Sequence, residues 1–290
     1  MKTKVGLIGL GLMGNPMAKN ILKGGFPLYV YNRNKAKTLE LQKLGAIVAK
    51  SPKELSSKVD VVITMVTGPK DIKDCLFGKD GAVKGSHAGL TFIDMSTIGK
   101  KAAEEIGKKL ESFNMDFIDA PVTGGTVGAI SGELVIYVGG KESVFEKVKP
   151  VLLSMGKTLH YIGPTGSGQA VKLINNHLIA AGMIALSEGM VLADMMKVPR
   201  SVVCNALQSA PIVSTQMIRV MPNYINNDFP IKFSIANLKK DLSLAKKEIN
   251  NKNKSLKILS TTEKMYKEAI NKKLGGSDYS EIIKMVEMGK

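Results

Sequence analysis

Ten residues near the start of the chain restrict its fold more than any others: Val5-Gly6-Leu7-Ile8-Gly9-Leu10-Gly11-Leu12-Met13-Gly14. A short apolar run of β type ends at Gly9, and an amphipathic helical pattern opens at Met13. Between them the glycines fall in the spacing G-x-G-x-x-G. At such a strand–helix junction the first glycine permits the tight turn and the second lets the backbone approach a pyrophosphate. The third allows helix and strand to pack closely. The amide N–H groups and the positive dipole end of the helix then face phosphate. Glycines are common at turns, so the motif alone is weak; the pattern around it decides its meaning.

That pattern runs on for 163 residues. Strands are expected at Lys4–Ile8, Leu28–Tyr31, Ala46–Val48, Val61–Met65, Thr91–Asp94, Asp116–Ile118, Leu134–Val138 and Leu159–Ile162. Helical spacing fills most gaps, as in Met13–Lys23, Asn34–Leu44, Lys101–Phe113 and Ser143–Ser154. Alternation of Val/Ile-rich strands with helices predicts an α/β fold with a doubly wound, largely parallel Rossmann-type sheet. Gly163-Pro164-Thr165-Gly166-Ser167-Gly168 then reads as a hinge, followed by one helix from Gln169 to Met196 that stops before Pro199. Everything beyond reads as helix. The expected plan is a dinucleotide-binding domain over 1–163, a connecting helix over 164–196, and an all-α C-terminal domain for substrate and assembly over 197–290.

The connecting helix is apolar on nearly every side, so it is expected to be buried in a larger core or against a partner subunit. A homodimer or homotetramer is the corresponding expectation. Its most apolar part, Ile174–Leu186, is interrupted by Asn175, Asn176 and His177 and reads as too short to span a bilayer. The first residues enter a strand at once, without the pattern of a targeting segment. A cytoplasmic protein without a membrane partner is expected.

Charge needs care, because the formal net charge is +16. Of the 41 basic residues only Arg33, Arg200 and Arg219 are arginine; the rest are lysines spread along the chain. Readers of base edges and phosphates lean on arginine and on aromatic stacking, and aromatics are 5% here. A solvated lysine surface that favours small anionic substrates is expected, rather than nucleic-acid binding. Cys75 and Cys204 make no disulfide framework, and the scattered His87, His160 and His177 offer no metal-ligand spacing. No metal is expected.

An acidic residue about 20 positions beyond the glycines would bind a ribose 2′-hydroxyl and favour NAD. This chain has Asn32-Arg33-Asn34-Lys35 instead. No carboxylate repels a phosphate there, and Arg33 with Lys35 suits the 2′-phosphate of NADP. NADP is the expected cofactor, with NAD possible; an ordinary polar turn is the bland alternative.

Three further segments carry a resemblance: Asp119-Ala120-Pro121-Val122-Thr123-Gly124-Gly125, then Gly166-Ser167-Gly168-Gln169-Ala170-Val171-Lys172-Leu173-Ile174-Asn175-Asn176, then Lys240-Asp241-Leu242. With Gly9–Ala18 they make the chain similar, in order and spacing over essentially its whole length, to the β-hydroxyacid dehydrogenases. That family includes 3-hydroxyisobutyrate dehydrogenases and glyoxylate/succinic semialdehyde reductases. The resemblance implies that Thr123, Gly124 and Gly125 bind the substrate carboxylate, Thr123 standing where Ser is common. It implies that Lys240, with Asp241 beside it, reaches the site from the C-terminal domain. It also implies that Met65, Val66, Thr67, Ser96 and Thr97 line the cofactor beside Gly9, Leu10, Gly11, Leu12, Met13, Gly14, Asn32, Arg33 and Asn34.

The chemistry supports this reading on its own terms. A carbonyl that accepts hydride develops negative charge on oxygen and needs a positioned acid. No histidine lies near a suitable motif. Lys172 opens an apolar helix, and desolvation there lowers a lysine pKa toward neutrality. Asn176, four residues on, shares its helix face and can bond the same substrate oxygen. Each has a bland alternative: Lys172 as a solvated lysine at a helix start, Lys240 as a surface lysine, Thr123–Gly125 as a plain turn. His177 points about 100° away from Asn176 and reads as a packed or hydrogen-bonded core residue. The methionines at 183, 190, 195 and 196 read as adaptable packing.

The leading expectation is thus an NAD(P)-dependent oxidoreductase acting on a short hydroxy acid or its semialdehyde. An imine reductase of the same architecture is the nearest alternative, and Lys172 argues against it. A sugar-phosphate decarboxylase of the 6-phosphogluconate type would need a larger helical domain. A non-catalytic binding protein on the same scaffold need not keep Lys172, Asn176 or the three glycines. Residues in Val213–Phe233 are expected to set substrate length.

Overall fold

A computed structural model describes residues 2–249 and 255–289. By compactness the chain divides within a helix, between Lys172 and Leu173.

The first unit is a nine-stranded sheet with helices on both faces. In chain order its elements are β1 (Val5–Ile8), α1 (Gly14–Lys23), β2 (Leu28–Tyr31), a 3₁₀ turn (Lys35–Thr38), α2 (Leu39–Lys43), β3 (Ile47–Val48), α3 (Pro52–Ser56), β4 (Val61–Thr64) and α4 (Pro69–Phe77). A second 3₁₀ turn (Ala82–Gly85) leads to β5 (Thr91–Asp94), α5 (Lys100–Glu111), β6 (Asp116–Asp119), β7 (Val122–Thr123), α6 (Gly125–Ser131), β8 (Leu134–Gly140), α7 (Glu142–Leu153) and β9 (Gly156–Gly163). The strand order is β3-β2-β1-β4-β5-β6-β8-β7, with β9 on β8. From β3 to β6 every pairing is parallel, and β8 turns antiparallel against β6. The expected doubly wound fold is present. The two-residue strand β7 has no counterpart in the expected strands, because two residues carry no periodicity.

Side-chain alternation explains the two layers. On β4, Val61 and Ile63 face a core shared with Met17 and Ile21 of α1 and with Val148 and Leu152 of α7. Val62 faces the other core, with Leu55 of α3, Leu76 of α4 and Ile106 of α5. Gly6 interrupts the apolar run of β1 for a packing reason: a Cβ there would lie 2.2 Å from Leu55 Cδ2. The stretch expected as one helix from Asn34 splits into the first 3₁₀ turn and α2, because the Asn34 side chain accepts from the Ala36 N–H and caps the chain locally.

One helix, α8 (Ser167–Met195), leaves this unit and enters the second. There it is joined by α9 (Arg200–Leu207), α10 (Thr215–Asn226), α11 (Ile235–Ile249), α12 (Lys257–Asn271) and α13 (Ile283–Glu287), after a 3₁₀ turn at Tyr279–Ile282. Met183, Met190, Tyr224, Leu238, Leu242, Tyr266 and Ile282 pack its core. Asp278 is fully buried and accepts from the N–H groups of Lys232, Phe233 and Ser280, tying the chain before α11 to the C-terminal turn.

The stretch Ile174–Leu186 alone is too short to span a bilayer, but the whole of α8, at 29 residues, is long and apolar enough to do so by length and composition. Of the two expectations for its burial, a core within the chain does not account for it. Only 33% of its most apolar window is covered, and Ile174, Leu178 and Met195 are 60%, 65% and 76% exposed. An exposed apolar stripe of this kind calls for a partner surface.

Candidate functional site

Glycine geometry builds the first part of the site. Gly9 has φ of +102°, a conformation that disfavours side chains. A Cβ on Gly14 would lie 1.9 Å from the Gly9 carbonyl oxygen, so the first turn of α1 seats directly on the loop. At Gly11 a Cβ would meet nothing within 4 Å. The backbone there faces open space, which is what a pyrophosphate needs in order to approach. No side chain caps α1, and the positive end of its dipole faces the same region. Cradle and helix end therefore fit a dinucleotide.

The sheet brings the other cofactor-side residues to this edge. Ile8 pairs with Tyr31 and Thr64, and Thr64 pairs with Asp94, so the loops after β1, β2, β4 and β5 leave side by side. Polar side chains join them. Asn32 Oδ1 accepts from the Leu10 N–H at 3.0 Å, and its Nδ2 donates to the Asn34 carbonyl. The Val66 N–H donates to Ser96 Oγ at 2.9 Å, while Ser96 Oγ donates to Asp94 Oδ1 at 2.7 Å. Thr64 Oγ1 donates to the same carboxylate oxygen. Asn32, Asn34 and Ser96 thus use their side chains to shape the loops. Met65 and Val66 are half-buried and Thr67 is exposed beside them, with Thr97 next to Ser96. Arg33 is well exposed, and its guanidinium pairs with Asp71 of α4 at 3.0 Å. Leu12 is exposed as well, whereas Leu10 is buried.

Further along the edge, Thr123 ends β7 and Gly124 and Gly125 both have positive φ, +128° and +62°. Consecutive backbone groups in such conformations form a concave nest suited to a carboxylate, and a Cβ on Gly125 would meet nothing within 4 Å.

The start of α8 is clamped to this unit. Asp119 Oδ1 accepts from the Gly166 N–H at 2.6 Å and Oδ2 from the Gln169 N–H at 2.8 Å. Burial pushes the Asp119 carboxyl up to about 7, against the lowering effect of those two N–H groups. The Gln169 side chain, wholly buried, reaches the loop after β5. Lys172 follows on the same helix and is only 9% exposed.

In the helical unit, three more of the expected residues cluster. Asn176 Nδ2 donates to Asp241 Oδ2 at 2.7 Å, and Lys240 Nζ pairs with Asp241 Oδ1 at 2.9 Å. Asn176 Oδ1 accepts from Asn175 Nδ2, so its second Nδ2 hydrogen is what it can offer a ligand. His177 is half-buried with its Nδ1 lacking a hydrogen-bond partner, and burial lowers its pKa. It is packed but not hydrogen-bonded.

Residues 4–163 match the family model described as the NAD binding domain of 6-phosphogluconate dehydrogenase. Residues 166–286 match the one described as NAD-binding of NADP-dependent 3-hydroxyisobutyrate dehydrogenase. The chain is 33% identical to mouse mitochondrial 3-hydroxyisobutyrate dehydrogenase, covering 97% of this chain and 86% of that one. It is 30% identical to glyoxylate/succinic semialdehyde reductase 2 (chloroplastic) of Arabidopsis thaliana, covering 99% and 80%. The chain belongs to the β-hydroxyacid dehydrogenase family. A crystal structure of a 3-hydroxyisobutyrate dehydrogenase from Salmonella typhimurium superposes with a TM-score of 0.90 at 29% identity, over 98% of this chain and all of that one. This β-hydroxyacid dehydrogenase is therefore an NAD(P)-dependent oxidoreductase, and α8 lies inside a matched enzyme region despite its apolar length.

Sequence reasoning passed over Asp94, Asp119, Gln169 and Asp71. For the first two a signal existed. Each is a carboxylate that closes a strand directly after two apolar residues, Phe92-Ile93 and Phe117-Ile118, and a buried carboxylate needs dedicated donors. Gln169 and Asp71 carried none, because their partners lie 30 or more residues away.

Proposed function

We propose that the enzyme is an NADP-preferring reductase/dehydrogenase for a short-chain hydroxy acid and its semialdehyde or oxo acid, of three or four carbons, with Lys172 as general acid and base. When bound, the nicotinamide supplies or accepts the hydride. Lys172 protonates the substrate oxygen in reduction and takes the proton back in oxidation. Thr123, Gly124 and Gly125 hold the substrate carboxylate, and Asn176 and Lys240 orient the substrate, Lys240 with Asp241 also bordering the cofactor. Gly9–Gly14 hold the pyrophosphate, with Asn32, Arg33 and Asn34 at the adenosine end and Met65–Thr67, Ser96 and Thr97 along the nicotinamide side. In this reading residues 1–163 carry the cofactor, 164–196 connect, and 197–290 complete the substrate site and the assembly. The enzyme works in the cytoplasm as a homodimer or homotetramer, without nucleic acid or membrane as partner.

The observation that carries the reading is a lysine only 9% exposed in the second turn of a helix that follows the hinge Gly163–Gly168. A lysine ammonium carries a proton it can give to a substrate oxygen within hydrogen-bond reach, and Asn176 lies one turn further along the same helix. Lys172→Ala should lower kcat at least about a hundredfold, within the roughly 10²–10⁴ range of a general-acid contribution. NADPH binding, read by fluorescence titration, should change little. Lys172→Arg should fail nearly as badly, since a guanidinium keeps its proton. An Arg variant with near wild-type kcat would show that only positive charge is needed. Assays with succinic semialdehyde, glyoxylate, tartronate semialdehyde and methylmalonate semialdehyde, each with NADPH and NADH, identify the substrate. In the same assays Arg33→Ala should raise the KM for NADPH far more than for NADH. A wild type that prefers NADH tenfold, about 1.4 kcal/mol, contradicts the cofactor assignment.

A further inference from the structure

Gln169 lies three residues before Lys172 on α8, and its side chain is fully buried. Its Oε1 accepts from the N–H groups of Ile98 and Gly99, at 3.0 and 3.1 Å, and its Nε2 donates to the Ser96 carbonyl at 2.8 Å. One amide thus closes three hydrogen bonds on the Ser96–Gly99 loop at the C-terminal edge of β5. That loop is also tied to the loop after β4, through the Val66 N–H on Ser96 Oγ. On its backbone side Gln169 donates its own N–H to Asp119, which also holds the Gly166 N–H. The fit leaves no slack. A Cβ on Gly168 would lie 2.3 Å from the Tyr137 carbonyl oxygen and 2.9 Å from Asp119 Oδ2, and one on Gly139 would lie 2.6 Å from Asp119 Oδ1.

We infer that Gln169 is a positioning residue that locks the cofactor-side loop Ser96–Gly99 to the helical turn carrying Lys172. The inference rests on the reading that this loop borders the nicotinamide and that Lys172 exchanges the proton. Hydride and proton must reach one carbonyl together, so the loop beside the hydride donor and the turn bearing the acid must hold a constant separation. Misplacement by about 1 Å costs on the order of a hundredfold in rate. Buried amides can enforce that separation because each unmade hydrogen bond is costly. Side-chain packing alone would fix the helix less sharply, since it does not discriminate between neighbouring axial positions as a three-bond clasp does.

The test is Gln169→Ala, assayed in the full enzyme with the best substrate of the panel above, together with Gln169→Glu and Lys172→Ala. Gln169→Ala should lower kcat by about tenfold or more while the Kd for NADPH stays within about threefold. With NADPH deuterated at the transferring position, the isotope effect on kcat should rise above the wild-type value, because hydride transfer becomes limiting. Amide exchange at Ile98 and Gly99 should accelerate, a check that needs no substrate. In Gln169→Glu the second carboxyl oxygen faces the Ser96 carbonyl. The variant should be impaired at neutral pH and recover toward wild type, measured at matched pH, as the carboxyl protonates. The ionisable groups around it are Asp94 on β5, Asp119 on β6, Lys100 on α5 and Lys172 on its own helix.

A slow Gln169→Ala enzyme with a raised isotope effect supports the clasp. If Lys172→Ala stays active while Gln169→Ala is slow, the clasp stands and the acid assignment falls. A Gln169→Ala enzyme with lowered Tm but wild-type kcat and isotope effect reduces Gln169 to a structural residue and overturns the inference.

Discussion

The sheet unit and the helical unit use polar groups in opposite ways. In the sheet unit, buried and half-buried polar side chains join loops that are far apart in sequence: Asn32 to Leu10, Ser96 to Val66, Asp119 to Gly166 and Gln169 to Ile98. Most apolar residues of its central strands are taken up by two cores. In the helical unit, Asp278 and the Asn176–Asp241–Lys240 group do the comparable joining, but a long apolar stripe of α8 stays uncovered. The first unit fills two cores and ties its loops together with polar side chains, whereas the second leaves an apolar face of one long helix open within the chain.

The sharpest way to break the contrast is at Gly14. A valine there drives a side chain into the Gly9 carbonyl, backbone against which nothing flexible can yield. Gly14→Val should weaken NADPH binding by about a hundredfold or more, read by fluorescence titration. If assembly belongs to the other unit, its mass by light scattering should stay that of the wild type. A variant that binds NADPH normally would show that the seat of α1 on the loop is not needed.

The converse variant probes the helical unit. Leu178 is 65% exposed on the α8 stripe, and burying a leucine against a partner contributes about 1.5–3 kcal/mol. Leu178→Asp should lower the oligomer mass in light scattering at micromolar concentration, while NADPH affinity changes little. A wild-type protein that is a monomer at every concentration removes the premise of the stripe.

A third test concerns Asp119. Its carboxyl sits near 7 in the fold and near its ordinary 3.8 once unfolded. Between about pH 4 and 7 the unfolded chain has lost this proton while the native protein still holds it. The contribution is therefore full below about pH 4 and is lost as pH rises toward 7. Asp119→Asn carries no such proton. Subtracting its urea-unfolding free energies from those of the wild type should give a curve that falls from pH 4 to 7 and is flat above. A difference curve without that fall means that the two N–H donors outweigh burial.

Much of this molecule was legible in one dimension. The glycines at 9, 11 and 14 act within six residues, and strand alternation needs only a period of two, so both survive in the sequence. Lys172, with Asn176 four residues on along the same helix, was legible for the same reason. Gln169 was passed over because its partner is 71 residues away in the chain; Asp119 carried a signal as a strand-closing carboxylate, but its partner, 47 residues away, could not be read from it. Asp71 meets Arg33 only because α4 follows a strand neighbouring β1 in the sheet. Whether its own chain or a partner covers α8 was left open by the sequence for a related cause. Composition records how much apolar surface a helix carries, but the packing of the other helices decides how much of it one chain can cover. The sequence by itself determined the doubly wound sheet, the dinucleotide cradle and the place of Lys172, because each is written in local spacing. Only the tertiary structure decided which buried side chains clamp the loops and which face of α8 stays open, because those depend on contacts between residues that no local pattern relates.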